Sequence, residues 1–190
     1  MATGGAAMGE LWVFGYGSLI WRPGFPFLEA VPARLLGFHR SLCIYSHVHR
    51  GTPERPGLVL GLDRGGSCLG RVFRVDAQHR DDTIAYLRAR EQATAVYLER
   101  HLPVTLLDGT ARRIEAVAYV ADRRHPQYAG RLDHDRQIAL VAAGVGQSGI
   151  NRDYVLSTVA ALGELGIRDV ALARLAAALA ETAGDRSAAE

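Results

Sequence analysis

The stretch Leu11-Trp12-Val13-Phe14-Gly15-Tyr16-Gly17-Ser18-Leu19 decides the reading of this chain. Four apolar residues in a row, stopped by glycine, read as a short buried strand. The residues after it are too rich in glycine to continue a strand. Glycines let the backbone turn sharply and point successive N–H groups into one concavity, where a carboxylate or an oxyanion can sit. The plainer reading, a tight turn closing a strand, stands beside it. A dinucleotide fingerprint is excluded here, because Ile20 occupies the place of the third glycine.

Outward from that strand, 34–46, 57–63 and 68–75 carry strand-like patterns, the first two separated by the polar, proline-rich stretch His49 to Pro56. A helix is expected over about 81–91. Two β-rich runs come next, 95–107 and 114–121, with Asp108-Gly109 between them as a hairpin signal. The last third reads as helical: 133–143, then 152 to about 165 with Asn151 as its N-cap, then 168–180. Strands early and helices late, with one helix in the middle, argue for an α+β fold: a mostly antiparallel curved sheet or small β-barrel with helices against it.

Composition sets the outer bounds. The chain has 190 residues, 48% hydrophobic and 22% charged, with a net charge of +2. A single domain over 10–180 is the expectation, flanked by small-residue tails at 1–9 and 181–190 read as disordered. The near-neutral balance gives no global field for nucleic acid or an anionic membrane, and neither is expected as a partner. All 22 basic residues are Arg, and no Lys occurs. A Walker-type phosphate loop and a Schiff-base lysine are therefore excluded, and guanidinium groups are the permanent cations on offer to a carboxylate. Cys43 and Cys68 sit in apolar runs and read as core thiols. With no secretory leader pattern and no apolar run of about 18 residues, the expectation is a soluble, cytoplasmic protein.

Glu91 is the carboxylate singled out by pattern. Ile84, Leu87 and Glu91 share one helical stripe, so the acid is carried inward with two apolar residues. Desolvation and the negative end of the helix dipole both raise its pKa, which suits a general acid/base near neutral pH. The competing reading is a helix-end Glu paired with Arg88 or Arg90, or simply solvated.

Two further patterns carry less. Gly144-Val145-Gly146-Gln147-Ser148-Gly149 matches G-x-G-x-x-G, with Asp169 twenty residues on. A nucleotide-binding module would need a strand at 137–143, where the pattern reads as helix, and a second parallel strand where another helix is expected. A loop feeding the next helix is the better reading, with its N–H groups turned toward a site. His47-Val48-His49 shares a strand face and, with Cys43 or Asp135, supplies metal-ligand chemistry. No metal-site spacing supports it, and no metal or cofactor is expected.

Taken together the segments resemble the ChaC family of γ-glutamylcyclotransferases. The resemblance runs from Val13-Phe14-Gly15-Tyr16-Gly17-Ser18-Leu19-Ile20-Trp21-Arg22-Pro23 through His49-Arg50-Gly51-Thr52-Pro53, Pro56-Gly57, Tyr86-Leu87-Arg88-Ala89-Arg90-Glu91 and Ala118-Tyr119-Val120 to Gly146-Gln147-Ser148-Gly149-Ile150-Asn151-Arg152-Asp153-Tyr154. Leu58 stands where many relatives carry Arg. The resemblance implies a γ-glutamylcyclotransferase-like fold and cleavage of glutathione to 5-oxoproline and cysteinylglycine without water, metal or cofactor. It implies Glu91 as acid/base and Tyr16, Gly17, Ser18 and Leu19 as the substrate cradle. Tyr119 and Tyr154 are then expected as hydrogen-bond donors to substrate, and Arg50 as the partner of the glycine carboxylate. Two rivals share the same fold: a cyclotransferase for other γ-glutamyl-amino acids or amines, and a non-catalytic γ-glutamyl-binding module.

Overall fold

The structure, a computed structural model, describes residues 10–91 and 95–187, with side chains as far as Glu181. The expected tail at 1–9 and residues 188–190 lie outside the described residues. Contacts divide the chain into two compact units, one made of the residues up to Ser41 with Gly61–Asp122, the other of Leu42–Leu60 with the residues from Arg123 onward.

The first unit opens on β1 (Leu11–Gly15), buried at all five positions. A strand covered on both faces shows no alternation, which is why this one reads as an apolar run. A single 3-10 turn at Ser18–Ile20 comes after it. Next come β2 (Glu29–Ser46), β3 (Gly57–Val75), α1 (Arg80–Glu91), β4 (Tyr97–Leu106) and β5 (Arg113–Ala121). The five strands close a barrel in the order β1-β3-β2-β4-β5, with β3 also meeting β5. Most neighbours are antiparallel, and the closing pairs Val13 with Val117 and Leu62 with Val120 are parallel. The strand segments Leu42–Ser46 and Gly57–Leu60 are counted with the second unit.

The α+β barrel expected from the sequence is thus present, with two corrections of detail. The runs 57–63 and 68–75 are one strand, not two. Gly65 and Gly66 lie between the two runs with positive φ values of 99° and 68°, and the strand continues through them as one element. The Asp108-Gly109 turn does join β4 to β5. Thr110 donates from both its amide and its hydroxyl to Asp108 Oδ1, and Gly109 takes φ 90°.

Leu11, Val13, Phe73, Val75, Val117 and Tyr119 form one packed cluster with Leu87 of α1, and Ile84 lies against it. Leu87 is fully buried, so the helical stripe read from the sequence is the face that α1 turns to the strands. Asp81 and Asp82 in the first turn and Arg88 and Arg90 in the last complement the helix dipole.

The second unit adds α2 (His134–Ala143), the small antiparallel hairpin β6 (Val145–Gly146) and β7 (Gly149–Ile150), α3 (Asn151–Glu164) and α4 (Val170–Ser187). Asp133 caps α2 by accepting from the Arg136 amide at 2.7 Å. α4 runs to Ser187, so residues 181–187 continue a helix where a disordered tail was expected. Asn151 does not cap α3: Ile150 holds that position and Asn151 is the first helical residue. Its buried carboxamide turns to the backbone of Leu58 instead, accepting from the amide and donating to the carbonyl, both at 2.7 Å. A carboxamide carries one acceptor and one donor group, which matches the amide and carbonyl of a single strand residue. Gly57 makes room for this, since a side chain there would meet the Arg50 carbonyl and Asn151 Oδ1.

Candidate active site

Glu91 ends α1, one turn beyond Leu87 on the same stripe. Its side chain is 17% exposed. Desolvation pushes its pKa up; the charge of Arg90 and the hydrogen bond from it pull the other way without cancelling the rise. The carboxylate Oε1 lies 3.1 Å from Arg90 Nε. Of the pairings left open by the sequence, Arg90 therefore pairs with Glu91. Arg88 turns to Glu99 on β4, donating from Nε and Nη2 to its two carboxylate oxygens at 2.8 Å each.

Arg90 does more than pair with its neighbour. Nη2 donates to Ser18 Oγ at 2.9 Å, and Nη1 donates to the Arg22 carbonyl at 2.7 Å and to Tyr86 Oη at 2.9 Å. One guanidinium thus connects the helix end, the acid and the glycine-rich turn. Sequence reasoning treated Arg90 only as a neutralising partner. The Tyr86–Arg90 spacing of four residues, which puts both on one helix face, was the signal available.

The turn itself is held by its surroundings. Tyr16 Oη donates to the Tyr119 carbonyl at 2.9 Å, so its hydroxyl ties the turn after β1 to β5. Arg40 donates to the carbonyls of Tyr16 and Leu69. The Leu19 side chain is buried in the cluster beneath α1. Ile20 and Arg22 donate their amides to the Gly17 and Ser18 carbonyls at 2.9 and 2.8 Å. Among the described residues no hydrogen bond occupies the amides of Gly17, Ser18 and Leu19.

Tyr119 lies beside the same cluster, and its hydroxyl donates to Glu99 Oε2 at 3.0 Å. Burial first, then the charge of Glu99 and its hydrogen bond, with a smaller contribution from the charge of Glu91, raise the Tyr119 pKa strongly. Glu99 is held below the usual carboxylate range, chiefly by the hydrogen bonds from Arg88. The phenol proton is committed to Glu99, so Tyr119 presents its oxygen as an acceptor where a donor was expected. Glu99 had no local signal in the sequence; its partners are 11 and 20 residues away.

The first unit therefore brings together Glu91, Ser18, Leu19, Tyr16 and Tyr119. Arg50 and Tyr154 meet each other in the second unit: the Arg50 guanidinium lies 5.4 Å from the Tyr154 ring centroid, and Nη1 donates to the Ile150 carbonyl at 3.1 Å. Tyr154 Oη accepts from the Leu60 amide at 3.1 Å.

The other two patterns resolve plainly. Residues 134–143 are helix where a nucleotide-binding module needs a strand. In the 144–149 segment the Gln147 and Ser148 amides donate to the carbonyls of Val48 and His49, so they are spent inside the unit and not turned toward a ligand. His47 stacks on Tyr45, and His49 Nδ1 lies 2.9 Å from Ser148 Oγ. Among the described residues no three His, Cys, Asp or Glu side chains gather as a metal site.

A closed five-stranded barrel with helices in this order is the γ-glutamylcyclotransferase-like fold. A solved glutathione-specific γ-glutamyl cyclotransferase from yeast superposes with a TM-score of 0.83, covering 91% of this chain and 96% of the other at 23% identity, a likeness of fold. The ChaC-like protein family matches residues 11–182, and the chain belongs to that family. Among its relatives, the glutathione-specific γ-glutamylcyclotransferase of Escherichia coli K-12 is 35% identical over 161 residues, 85% of this chain and 69% of that protein. The human glutathione-specific γ-glutamylcyclotransferase 1 is 31% identical over 148 residues, 77% of this chain and 67% of that protein.

Proposed function

We propose that this protein degrades glutathione, closing the γ-glutamyl group into 5-oxoproline and releasing cysteinylglycine, with Glu91 as the acid/base. The observation that carries the site assignment is a carboxyl group whose pKa is raised by burial, linked through one guanidinium to a turn whose amides meet no hydrogen-bond partner among the described residues. Family membership and the names of the relatives support the substrate.

The chemistry has three parts. The substrate's α-ammonium must lose a proton before its nitrogen attacks the γ-carbonyl carbon. Glu91 as carboxylate takes that proton, and as carboxylic acid it gives it to the departing dipeptide nitrogen when the old amide bond breaks. The attacking nitrogen still holds one surplus proton after the new C–N bond forms, and the same carboxylate relays it, so the lactam keeps one N–H and the dipeptide leaves as its ammonium. The proton count closes on one residue, so no water enters. Negative charge gathers on the carbonyl oxygen as the ring forms, and the amides of Gly17, Ser18 and Leu19 are the fixed donors available for it. The attack is intramolecular, so its rate depends on holding amine and carbonyl in register. Tyr119, acceptor-only toward the site and backed by the ionised Glu99, suits an ammonium group better than a carboxylate.

The reading takes 10–180 as one functional domain, supported by the family match and by β2 and β3, which contribute to both units. It places the protein in the cytoplasm, where the glutathione pool keeps thiols such as Cys43 and Cys68 reduced. No helix among the described residues is long and apolar enough to cross a membrane.

The test is direct. Purified protein is mixed with glutathione, and 5-oxoproline and cysteinylglycine are followed by chromatography, with γ-glutamyl-alanine in a parallel arm. Equimolar release of both products from glutathione is expected. Equal or faster turnover of γ-glutamyl-alanine would move the substrate to other γ-glutamyl compounds. Binding without any 5-oxoproline would leave a non-catalytic module.

A further inference from the structure

We infer that Arg90 is a positioning residue that sets both the orientation and the working pH of Glu91 while holding the Ser18 turn in register with it. The inference rests on the assignment of Glu91 as the acid/base.

The geometry is a four-way clamp built on one planar group. Nε faces the Glu91 carboxylate, Nη2 faces the Ser18 hydroxyl, and Nη1 faces the Arg22 carbonyl and the Tyr86 hydroxyl. The Arg90 side chain is itself 21% exposed. Each partner belongs to a different part of the site: the acid, the turn offering the amides, the chain leaving that turn, and the helix face one turn back. A guanidinium is rigid and presents its donors in a fixed plane, so fixing any two of these partners constrains the others. A lysine carries the same charge on one nitrogen and has no such plane.

This arrangement has two consequences. Burial alone favours the protonated form of Glu91, which cannot accept the ammonium proton. Arg90 opposes this through its charge and its hydrogen bond, so that part of the population is ionised at a lower pH than the pocket alone would allow. The ion pair that the sequence set against a catalytic Glu91 is, on this geometry, part of what makes the carboxylate usable as a base. The second consequence is mechanical. The distance between acid and amide donors is fixed by a side chain, and loss of that link loosens two catalytic elements together.

The experiment compares wild type, Arg90→Lys and Arg90→Met for 5-oxoproline release across pH, with circular dichroism to verify folding and Glu91→Gln as the reference. For Arg90→Met the acid limb of kcat/KM is expected to move to higher pH, with kcat lower by roughly 100-fold, the scale of a small misplacement of reacting groups. For Arg90→Lys the limb is expected to return toward the wild-type position while kcat stays depressed, because charge is restored and the plane is not. An unmoved acid limb in folded Arg90→Met overturns the inference, as does wild-type kcat in Arg90→Lys. If Arg90→Met does not fold, Arg90→Lys decides alone: a depressed kcat with a near-normal limb supports the inference, and wild-type kcat removes it. Activity surviving in Glu91→Gln would instead remove the acid/base assignment, so the two failures are separable.

Discussion

Replacing Glu91 with Gln changes one oxygen to an amide nitrogen in a side chain that is largely enclosed. Gln keeps an acceptor for Arg90 Nε, so the clamp has no steric reason to open. The variant loses the ability to take and return a proton. Substitution of the group that transfers a proton costs about 10²–10⁴ in rate. At ~1.4 kcal/mol per decade, that is roughly 3–5 kcal/mol of barrier. The full loss is expected because Glu99, the other carboxylate beside the cluster, has its oxygens engaged by Arg88 and Tyr119 and cannot substitute. The assay is 5-oxoproline release at saturating glutathione. A second signature is thermodynamic. The folded pKa of Glu91 is raised, so the native state binds this proton more tightly than the unfolded chain. Its contribution to stability is fully present below the unfolded pKa and is lost as pH rises through the folded value. Gln carries no such linkage, so the variant should gain stability relative to wild type as pH rises over that window. Urea unfolding at a series of pH values measures the gap. A variant that turned over glutathione within threefold of wild type, or two stability curves running parallel in pH, would refute the reasoning.

The same contacts set other expectations. Asn151→Ala leaves the buried amide and carbonyl of Leu58 without partners and should cost roughly 2–6 kcal/mol, at about 1–3 per orphaned group, measured by denaturant unfolding. Tyr119→Phe removes one hydrogen bond to Glu99, which keeps Arg88. A loss of roughly 1.5 kcal/mol is expected in stability, with a rise in KM for glutathione if the phenol oxygen receives the ammonium. Leu87→Ala opens a cavity under α1 and should cost about 2–5 kcal/mol, while also lowering kcat because Glu91 rides on the same helix face. Dialysis against EDTA should leave turnover unchanged, since each catalytic job is assigned to a carboxylate or to backbone amides; lost activity restored by a divalent ion would reopen the histidine reading.

Much of this protein was legible in the order of its residues. The buried strand at 11–15 announced itself as an unbroken apolar run because both its faces are covered. The inward register of Glu91 came from the spacing of Ile84 and Leu87, since helical periodicity is a local property. The Asp108-Gly109 turn is likewise local chemistry, decided within a few residues. Tertiary structure alone decided the rest. Asn151 had the right residue type for a cap, but a buried strand 93 residues away offered its carboxamide two partners at once, and burial made that the stronger claim. The runs 57–63 and 68–75 read as two strands because the apolar pattern lapses between them, while the sheet that carries β3 through as one strand is not visible in the sequence. Arg90 and Glu99 gained their places only when the barrel brought Ser18 and Tyr119 within reach of α1 and β4, at separations of 72 and 20 residues. The sequence determines which groups can carry charge and which way a helix turns them; the fold determines which distant group each one meets, because hydrogen bonds act over about 3 Å and proximity in the chain does not measure that.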